Sequence, residues 1–463
     1  MNESAQNESR QSYWRWLAGV GCLVLILIAI FAPRRRHEAA SDGSSNAPIV
    51  SEISSSAAIP KNVRPSRRSA SSVPQVPATE VVAAKLRQFA RSRRETMHAM
   101  ARHFKVEVSP EMERFFDLAE AGRLDEMNAL FESLREQKKE GSPALNAVWP
   151  ALHETLGVAE EVARWPAQGL LDYGNAVLDS LRPGMVYVGG TDPGRFIPTL
   201  LNETGDGERH IVLTQNALAD GTYLDYLNFL YKDRLATLTK DDSQRAFQEY
   251  LSDAQKRVAH DQQFPNEPHQ VRPGEDISIV DNRTQVSGQV AVMAINEKLL
   301  QALMQKNPDA SFAMEESFPF SSMFGDASAL GPIMELRVKD DQSKLTPERA
   351  AQAANYWSDT AQELLSDPES ADSHAVRMTY AKMAASQAGL LLTRNYTPEA
   401  EQAFRSATEI APDSPEAVFR YINLLVSQKR FNDAIVISEN AIRAAPDNDQ
   451  FRNLLSELNR LNK

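Results

Sequence analysis

Residues 400–446, AEQAFRSATEIAPDSPEAVFRYINLLVSQKRFNDAIVISENAIRAAP, contain one spacing of small residues and proline twice. Two alanines and a proline recur after 34 residues in the same order, namely Ala400, Ala407 and Pro412, then Ala434, Ala441 and Pro446. Small alanine side chains allow two antiparallel helices to approach closely, and a proline ends the second helix of each pair. The spacing therefore predicts stacked helix pairs near the end of the chain.

This spacing resembles the tetratricopeptide repeat over roughly 90 residues, with that family's period of 34. The resemblance implies an α-solenoid whose concave groove binds a protein partner. On the groove-facing helix of the later repeat, it implies partner contacts by Phe419, Asn423 and Val426. Residues 449–461 are expected to form a capping helix. A predicted helix hairpin at 110–137, broken at Gly122, resembles a half-degenerate copy of the repeat.

The segment 16–32, WLAGVGCLVLILIAIFA, has no charged residue and is long enough to predict a transmembrane helix. Pro33 disfavours signal-peptide cleavage after Ala32, so residues 1–37 are interpreted as an uncleaved single-pass anchor. Residues 38–78 are rich in Ser, Ala and Pro, which is typical of a disordered linker. Such a spacer favours an extracytoplasmic body, which is the location expected for the soluble part. Arg34–Arg36 favour the opposite orientation, so the membrane side stays open.

Residues 79–172 are predicted to be helical, because apolar side chains recur at helical spacing from 79 to 104 and again from 110 onward. The first of these helices carries five basic side chains on its other faces: Lys85, Arg87, Arg91, Arg93 and Arg94. This basic face is either solvated or adheres to anionic lipid head groups.

Residues 173–340 alternate between short apolar runs and helical patterns, which predicts an α/β module with a mostly parallel sheet and flanking helices. The expected strands are 185–188, 210–213, 277–280, 311–314 and 333–338. Residues 341–463 complete the chain as the repeat region with its capping helix. The predicted fold class is thus a mixture of α/β and α+β, between an N-terminal transmembrane helix and a C-terminal solenoid.

Two polar turns follow the first two predicted strands and contain the candidate ligand-binding residues Thr191, Asp192, Arg195, Gln215 and Asn216. The carboxyl ends of adjacent parallel strands meet at one edge of a sheet, where α/β proteins bind ligands. Asp192 would accept sugar hydroxyls, and Arg195 would bind a carboxylate or phosphate. The alternative is structural, since Asp192 before Pro193 is typical of a helix N-cap.

The segments VYVGGTDPGRFIPTLL (186–201) and IVLTQNALADGTYLDYL (211–227) are similar to the soluble C-terminal part of multi-spanning bacterial glycosyltransferase-like membrane proteins. In that family the transferase chemistry belongs to the multi-spanning half, which has no counterpart here. The resemblance therefore implies a glycan as a further class of partner and carries no activity over.

Composition and motifs exclude several classes of function. The net charge of −12 disfavours general nucleic-acid binding, and a single cysteine excludes internal disulfides and thiolate-rich metal sites. Phosphate-loop, dinucleotide and serine-hydrolase motifs are absent from the sequence. His260, Asp261 and His269 share a polar loop without the spacing of metal ligands, and no cofactor is expected.

The function predicted from the sequence is that of a membrane-anchored bacterial envelope protein, acting as an interaction or assembly module through its repeats. The alternative is a glycan-related domain at the turns around Asp192. Glu315 and Glu316 form a polar strand end in this interpretation.

Overall fold

A computed structural model of the chain describes residues 76–272, 274–280, 283–315 and 321–462. The predicted transmembrane segment at 16–32 and nearly all of the predicted linker lie outside these ranges. Within the described residues, no helix combines the length and apolarity that crossing a bilayer requires. The described part is mostly helical, with one small mixed sheet and a helical C-terminal region.

The N-terminal part is a group of five helices, close to the helical region predicted for 79–172. They are α1 (Ala78–Phe104), α2 (Pro110–Glu120), α3 (Leu124–Lys139), α4 (Pro143–Arg164) and α5 (Ala167–Leu178). The serines Ser109 and Ser142 cap α2 and α4, and each is followed by proline at the first helical position. Gly122 has φ 68°, a left-handed conformation that glycine adopts without strain, and it turns the chain between α2 and α3.

The five-stranded sheet has the order β2-β1-β5-β7-β6. Its strands are β1 (Val186–Gly189), β2 (Ile211–Thr214), β5 (Phe312–Met314), β6 (Ser328–Leu330) and β7 (Ile333–Leu336), and a separate hairpin contains β3 (Asp276–Val280) and β4 (Arg283–Ser287). The pairs β1–β2 and β1–β5 are parallel, whereas β5–β7 and β6–β7 are antiparallel. Helices between the strands are α6 (Asp192–Thr204), α7 (Gly221–Tyr231), α8 (Lys240–Gln263) and α9 (Gly288–Lys306).

Two expectations about the sheet are wrong. The sheet is mixed rather than mostly parallel, because the hairpin of β6 and β7 adds two strands in alternating direction. The predicted strand at 277–280 lies outside the sheet and pairs antiparallel with β4. Only two residues, 281 and 282, separate β3 from β4, and such a short connection can join only antiparallel strands.

The C-terminal region consists of α10 (Pro347–Ser366), the short α11 (Pro368–Asp372), α12 (His374–Thr393), α13 (Thr397–Ile410), α14 (Pro415–Ser427), α15 (Phe431–Ala444) and α16 (Asp449–Leu461). The four alanines of the repeated spacing, Ala400, Ala407, Ala434 and Ala441, are fully buried where these helices pack. One hydrophobic core runs from α1 through the sheet to α16, and α12 packs directly on β6 and β7. The repeats are therefore continuous with the sheet rather than a separate array.

The basic face of α1 is neutralised mostly by acidic side chains of the protein itself. Arg93 is buried; its Nε donates to Glu154 Oε2 on α4 at 2.8 Å, and its Nη1 lies 3.7 Å from Glu203 Oε2 on α6. Arg91 pairs with Glu120 of α2 at 2.7 Å. These ion pairs hold α1 against three other helices, which leaves less of the predicted face for solvent or lipid.

Candidate functional site

The two polar turns predicted to converge are neighbours in the structure. Strands β1 and β2 pair in parallel, with Gly189 opposite Thr214, so the turns leave the sheet at the same edge. The side-chain amide of Asn216 donates to the carbonyl oxygen of Gly190 at 3.2 Å, which joins the two turns directly. This edge brings Thr191, Asp192, Arg195, Gln215 and Asn216 into one region, whereas their contact with a ligand stays a prediction.

Thr191, rather than Asp192, caps helix α6. The Thr191 hydroxyl accepts a hydrogen bond from the Gly194 amide at 3.0 Å, and its backbone is extended as an N-cap requires. Asp192 is the first helical residue and pairs with Arg195 at 2.8 Å. The Arg195 guanidinium also lies over the ring of Phe196 at 4.2 Å. The N-cap role that the sequence suggested for Asp192 is therefore played by Thr191, one residue earlier.

Glu315 occupies the position where an anionic ligand would meet the first turn. Its carboxylate accepts hydrogen bonds from the amides of Gly190 and Thr191 at 3.1 and 3.2 Å and from the Thr191 hydroxyl at 2.8 Å. The Tyr173 hydroxyl donates to the same carboxylate at 3.0 Å. Glu315 is fully buried, so an internal carboxylate satisfies the donors that a phosphate would otherwise use.

The packing around Glu315 explains the glycine in the first turn of helix α6. A Cβ atom built on Gly194 would lie 1.6 Å from Glu315 Oε2, so only glycine fits at this position. Burial and the neighbouring Glu315 carboxylate raise the pKa of Tyr173 well above its ordinary value, which keeps its hydroxyl protonated as a donor. The expectation of a polar strand end missed this arrangement, and Glu316 lies outside the described residues.

The remaining turn residues differ in their access to solvent. Gln215 is 1% exposed and therefore presents little surface to a ligand, whereas Asn216 is exposed. Helix α4 brings a buried acidic group near the same edge. Burial raises the pKa of Glu161 to about 7, although the opposing charge of Arg164, 2.9 Å away, lowers it. The charged side chains at this edge are therefore mostly paired with each other, as in the ion pairs Glu161–Arg164 and Asp192–Arg195.

Two adjoining cavities of about 350 and 340 Å³ lie at the start of α7. Both are lined by Gly221 and Lys240, and the larger one also by the half-exposed ring of Phe247. None of the five turn residues lines either cavity. The cavities thus follow the second turn along the chain but do not coincide with the predicted ligand site.

The polar loop at the end of α8 is held by its own hydrogen bonds. Asp261 accepts from the amides of Gln270 and Val271 at 2.7 and 3.0 Å, and both His260 and His269 lie 3.3 Å from its carboxylate. In the part of the chain that the structure describes, no cluster of His, Cys, Asp or Glu has the arrangement of a metal site.

The predicted partner-binding residues of the later repeat are largely covered by the chain. Phe419 and Val426 are 1% and 3% exposed, and Asn423 is half-buried. The Phe419 ring packs on Phe451 of the last helix, with centroids 5.9 Å apart. Phe419 and Val426 thus present little surface in this conformation, and their contact with a partner stays a prediction. The sequence spacing alone did not reveal that the last helix packs on Phe419.

The first repeat helix, α12, is fastened to the sheet by a buried amide. Gln387 is fully buried; its Nε2 donates to the carbonyl oxygens of Gly331 and Ile333 at 2.7 and 2.8 Å, and its Oε1 accepts from Trp357 at 3.0 Å. At the end of α12, the Arg394 side chain donates to two further backbone carbonyls before β6. These contacts fix α12 directly to the β6–β7 hairpin and to the segment that precedes it.

Comparison with known proteins identifies one family feature. A tetratricopeptide-repeat model matches residues 392–458, which agrees with the 34-residue spacing and with helices α13 to α16. Searches of curated proteins and of solved structures found no match. The tetratricopeptide resemblance is thus supported, and the glycosyltransferase-like resemblance of the central segments is not. Repeats of this class suggest a protein–protein interaction module.

Proposed function

We propose that this chain is a membrane-anchored protein of the bacterial cell envelope whose repeat region binds another protein during assembly. The observation that carries the proposal is the tetratricopeptide repeat at 392–458, because stacked helix pairs of this kind commonly bind peptides and partner helices. The uncharged segment 16–32 and the linker at 38–78 support the anchored location.

The proposal is tested by disrupting the last helix pair. Ala434 is fully buried, so Ala434→Arg forces a long charged side chain into close helix packing and should separate α15 from its neighbours. Ser456→Arg on the exposed face of α16 adds the same charge without disturbing the packing and is the matched control. After cross-linking in membranes, a bound protein should co-purify with the parent chain and the control but be lost with Ala434→Arg.

Retention of the same bound protein by Ala434→Arg would show that the repeat does not carry the interaction. Location is tested separately with protease added to spheroplasts. Digestion of the body in intact spheroplasts supports an extracytoplasmic position. Protection until the membrane is ruptured would contradict it.

Glycan binding at the polar turns is the second candidate function. It is supported by the convergence of the two turns at one sheet edge, where Asp192 and Asn216 remain accessible. Asp192→Asn removes a charge while keeping the shape of the side chain. Loss of binding to an immobilised glycan, with an unchanged melting temperature, would support the role. Unchanged binding would assign Asp192 to its ion pair with Arg195 alone.

A further inference from the structure

The period of the repeat identifies the groove face of α12. The residues expected to face a partner on α14 have counterparts 34 positions earlier on α12: Ala385, Gly389 and Leu392 correspond to Phe419, Asn423 and Val426. This face of α12 is not open to solvent, because Ala385 is fully buried and Gly389 is half-buried. The first repeat therefore already holds something in its groove.

The occupant is a segment of the same chain. The 3₁₀ helix Ser321–Asp326 lies against α12, and Phe324 is 3% exposed. A Cβ atom built on Gly389 would lie 3.6 Å from Phe324 Cε2, so the ring rests directly on the glycine of the groove face. On either side of this ring, Ser322, Gly325 and Asp326 are exposed. Phe324 is thus the largest buried side chain of the segment, beside the buried Ala327 and the half-buried Met323.

A basic side chain at the end of α12 completes the contact. Arg394 Nη1 donates to the carbonyl oxygens of Gly325 at 2.8 Å and Ala327 at 3.1 Å. Both acceptors are backbone atoms, so they specify a chain that turns after the aromatic residue rather than particular side chains. Any peptide with an aromatic residue followed by a similar turn presents the same groups.

The contact differs from the junction next to it. Gln387 binds the carbonyls of Gly331 and Ile333 within the sheet hairpin, and both Gln387 and Ile333 are fully buried. That junction lies within the hairpin of the sheet, whereas the segment before it has several exposed residues and is held by Phe324, by the two hydrogen bonds from Arg394 and by one from the Val338 amide to the carbonyl oxygen of Asp326 at 2.8 Å. None of these hydrogen bonds belongs to the paired residues of β6 and β7, so the segment can leave α12 while that pairing is kept.

We propose that the groove of the first repeat binds a partner peptide with one aromatic side chain followed by a turn, and that residues 321–327 occupy it within the chain until such a peptide displaces them. This inference rests on the proposed function in that the partner is a protein. It adds the chemistry of the bound segment and a built-in competitor for the groove.

The experiment uses the full chain in lipid nanodiscs and a fluorescent peptide of residues 321–330, SSMFGDASAL. Phe324→Ala empties the anchor position, and Met323→Ala removes a neighbouring side chain as the matched control. The peptide should bind Phe324→Ala about tenfold or more tightly than the parent chain or the control, because the internal competitor is weakened. The same peptide with alanine in place of its phenylalanine should not bind. Equal affinity for all three proteins, or no binding to Phe324→Ala, would overturn the proposal.

A second measurement decides the matter if Phe324→Ala fails to fold. In the parent chain, an excess of the peptide should accelerate hydrogen exchange at 321–327 and leave exchange in β7 unchanged. Unchanged exchange at 321–327 would contradict displacement. The two proposals can fail separately. If the peptide binds Phe324→Ala but no protein co-purifies with the chain, the groove is a peptide site and the proposed function fails. If a protein co-purifies but the peptide does not bind, the repeat region still binds a partner and the displacement of residues 321–327 is refuted.

Discussion

Replacing Gln387 with methionine should lower the free energy of unfolding by about 2–6 kcal/mol. Methionine fills a similar volume but removes the amide that bridges Trp357 Nε1 and the carbonyl of Ile333, both of which belong to fully buried residues. Each buried polar group left without a partner costs about 1–3 kcal/mol, and two such groups remain. The third partner, the Gly331 carbonyl, belongs to an exposed residue and is expected to add little.

The assay is urea-induced unfolding of residues 76–463, followed by far-ultraviolet circular dichroism. Gln402→Met on α13 is the matched control, because its amide bonds to Asn355 and Ser358 at a partly exposed surface. The control should lose about 1 kcal/mol or less. Equal losses for the two variants would refute the view that Gln387 fastens the repeat to the sheet, since burial would then have no effect.

Three further outcomes follow from buried contacts at single positions. Burial raises the pKa of Glu161 to about 7, against 4.5 in the unfolded chain, so the folded protein loses stability as the pH rises from 4.5 to 7. Glu161→Gln should therefore raise the free energy of unfolding at pH 8 by up to about 3 kcal/mol and make it depend less on pH. Urea midpoints at pH 5 and pH 8 measure both effects. Gly194→Ala should cost about 3 kcal/mol or more because the new methyl group overlaps the Glu315 carboxylate, and a melting temperature equal to that of the parent chain would contradict this packing. Ala434→Arg should increase proteolysis at 431–461 while leaving 186–214 protected, and uniform protection would argue against close packing at Ala434.

The repeat region was predictable because its signal is local. Alanine at close helix contacts and proline after the second helix act through neighbouring turns of the same chain, and both alanines of each copy are fully buried as expected. The convergence of the polar turns was also predictable, since parallel neighbours release their loops at one edge. These features need only strand order and spacing.

Glu315 was not predictable as the carboxylate that fills the first turn. It follows β5 and lies 124 residues from Thr191 in the sequence, so the contact depends on β5 pairing with the other side of β1. The available signal was a glutamate directly after a short apolar strand, together with the two glycines after another. The glycines indicate that another group lies close to the backbone of the turn, but they do not identify that group as the Glu315 carboxylate.

The same limit applies to the groove and to α1. The 34-residue period identifies the positions that face a partner, yet it does not show that Phe324 or Phe451 covers them. Likewise, the basic residues of α1 suggest an exposed stripe until the acidic residues of α2, α4 and α6 are placed opposite. In both cases the missing information is the tertiary arrangement of separate elements.

The buried position of Arg93 has a mechanical consequence. Helix α1 is the first helix of the described residues and follows the predicted linker. The Arg93 guanidinium is shared between carboxylates on α4 and α6, and Lys85 donates to the carbonyl oxygen of Thr204 at 3.1 Å. Tension applied to the chain before Ala78 would therefore act first on these charged contacts and on the buried apolar face of α1. A protein tethered at this end would transmit such a load as one body, and weakening Arg93 would lower the force at which α1 peels away.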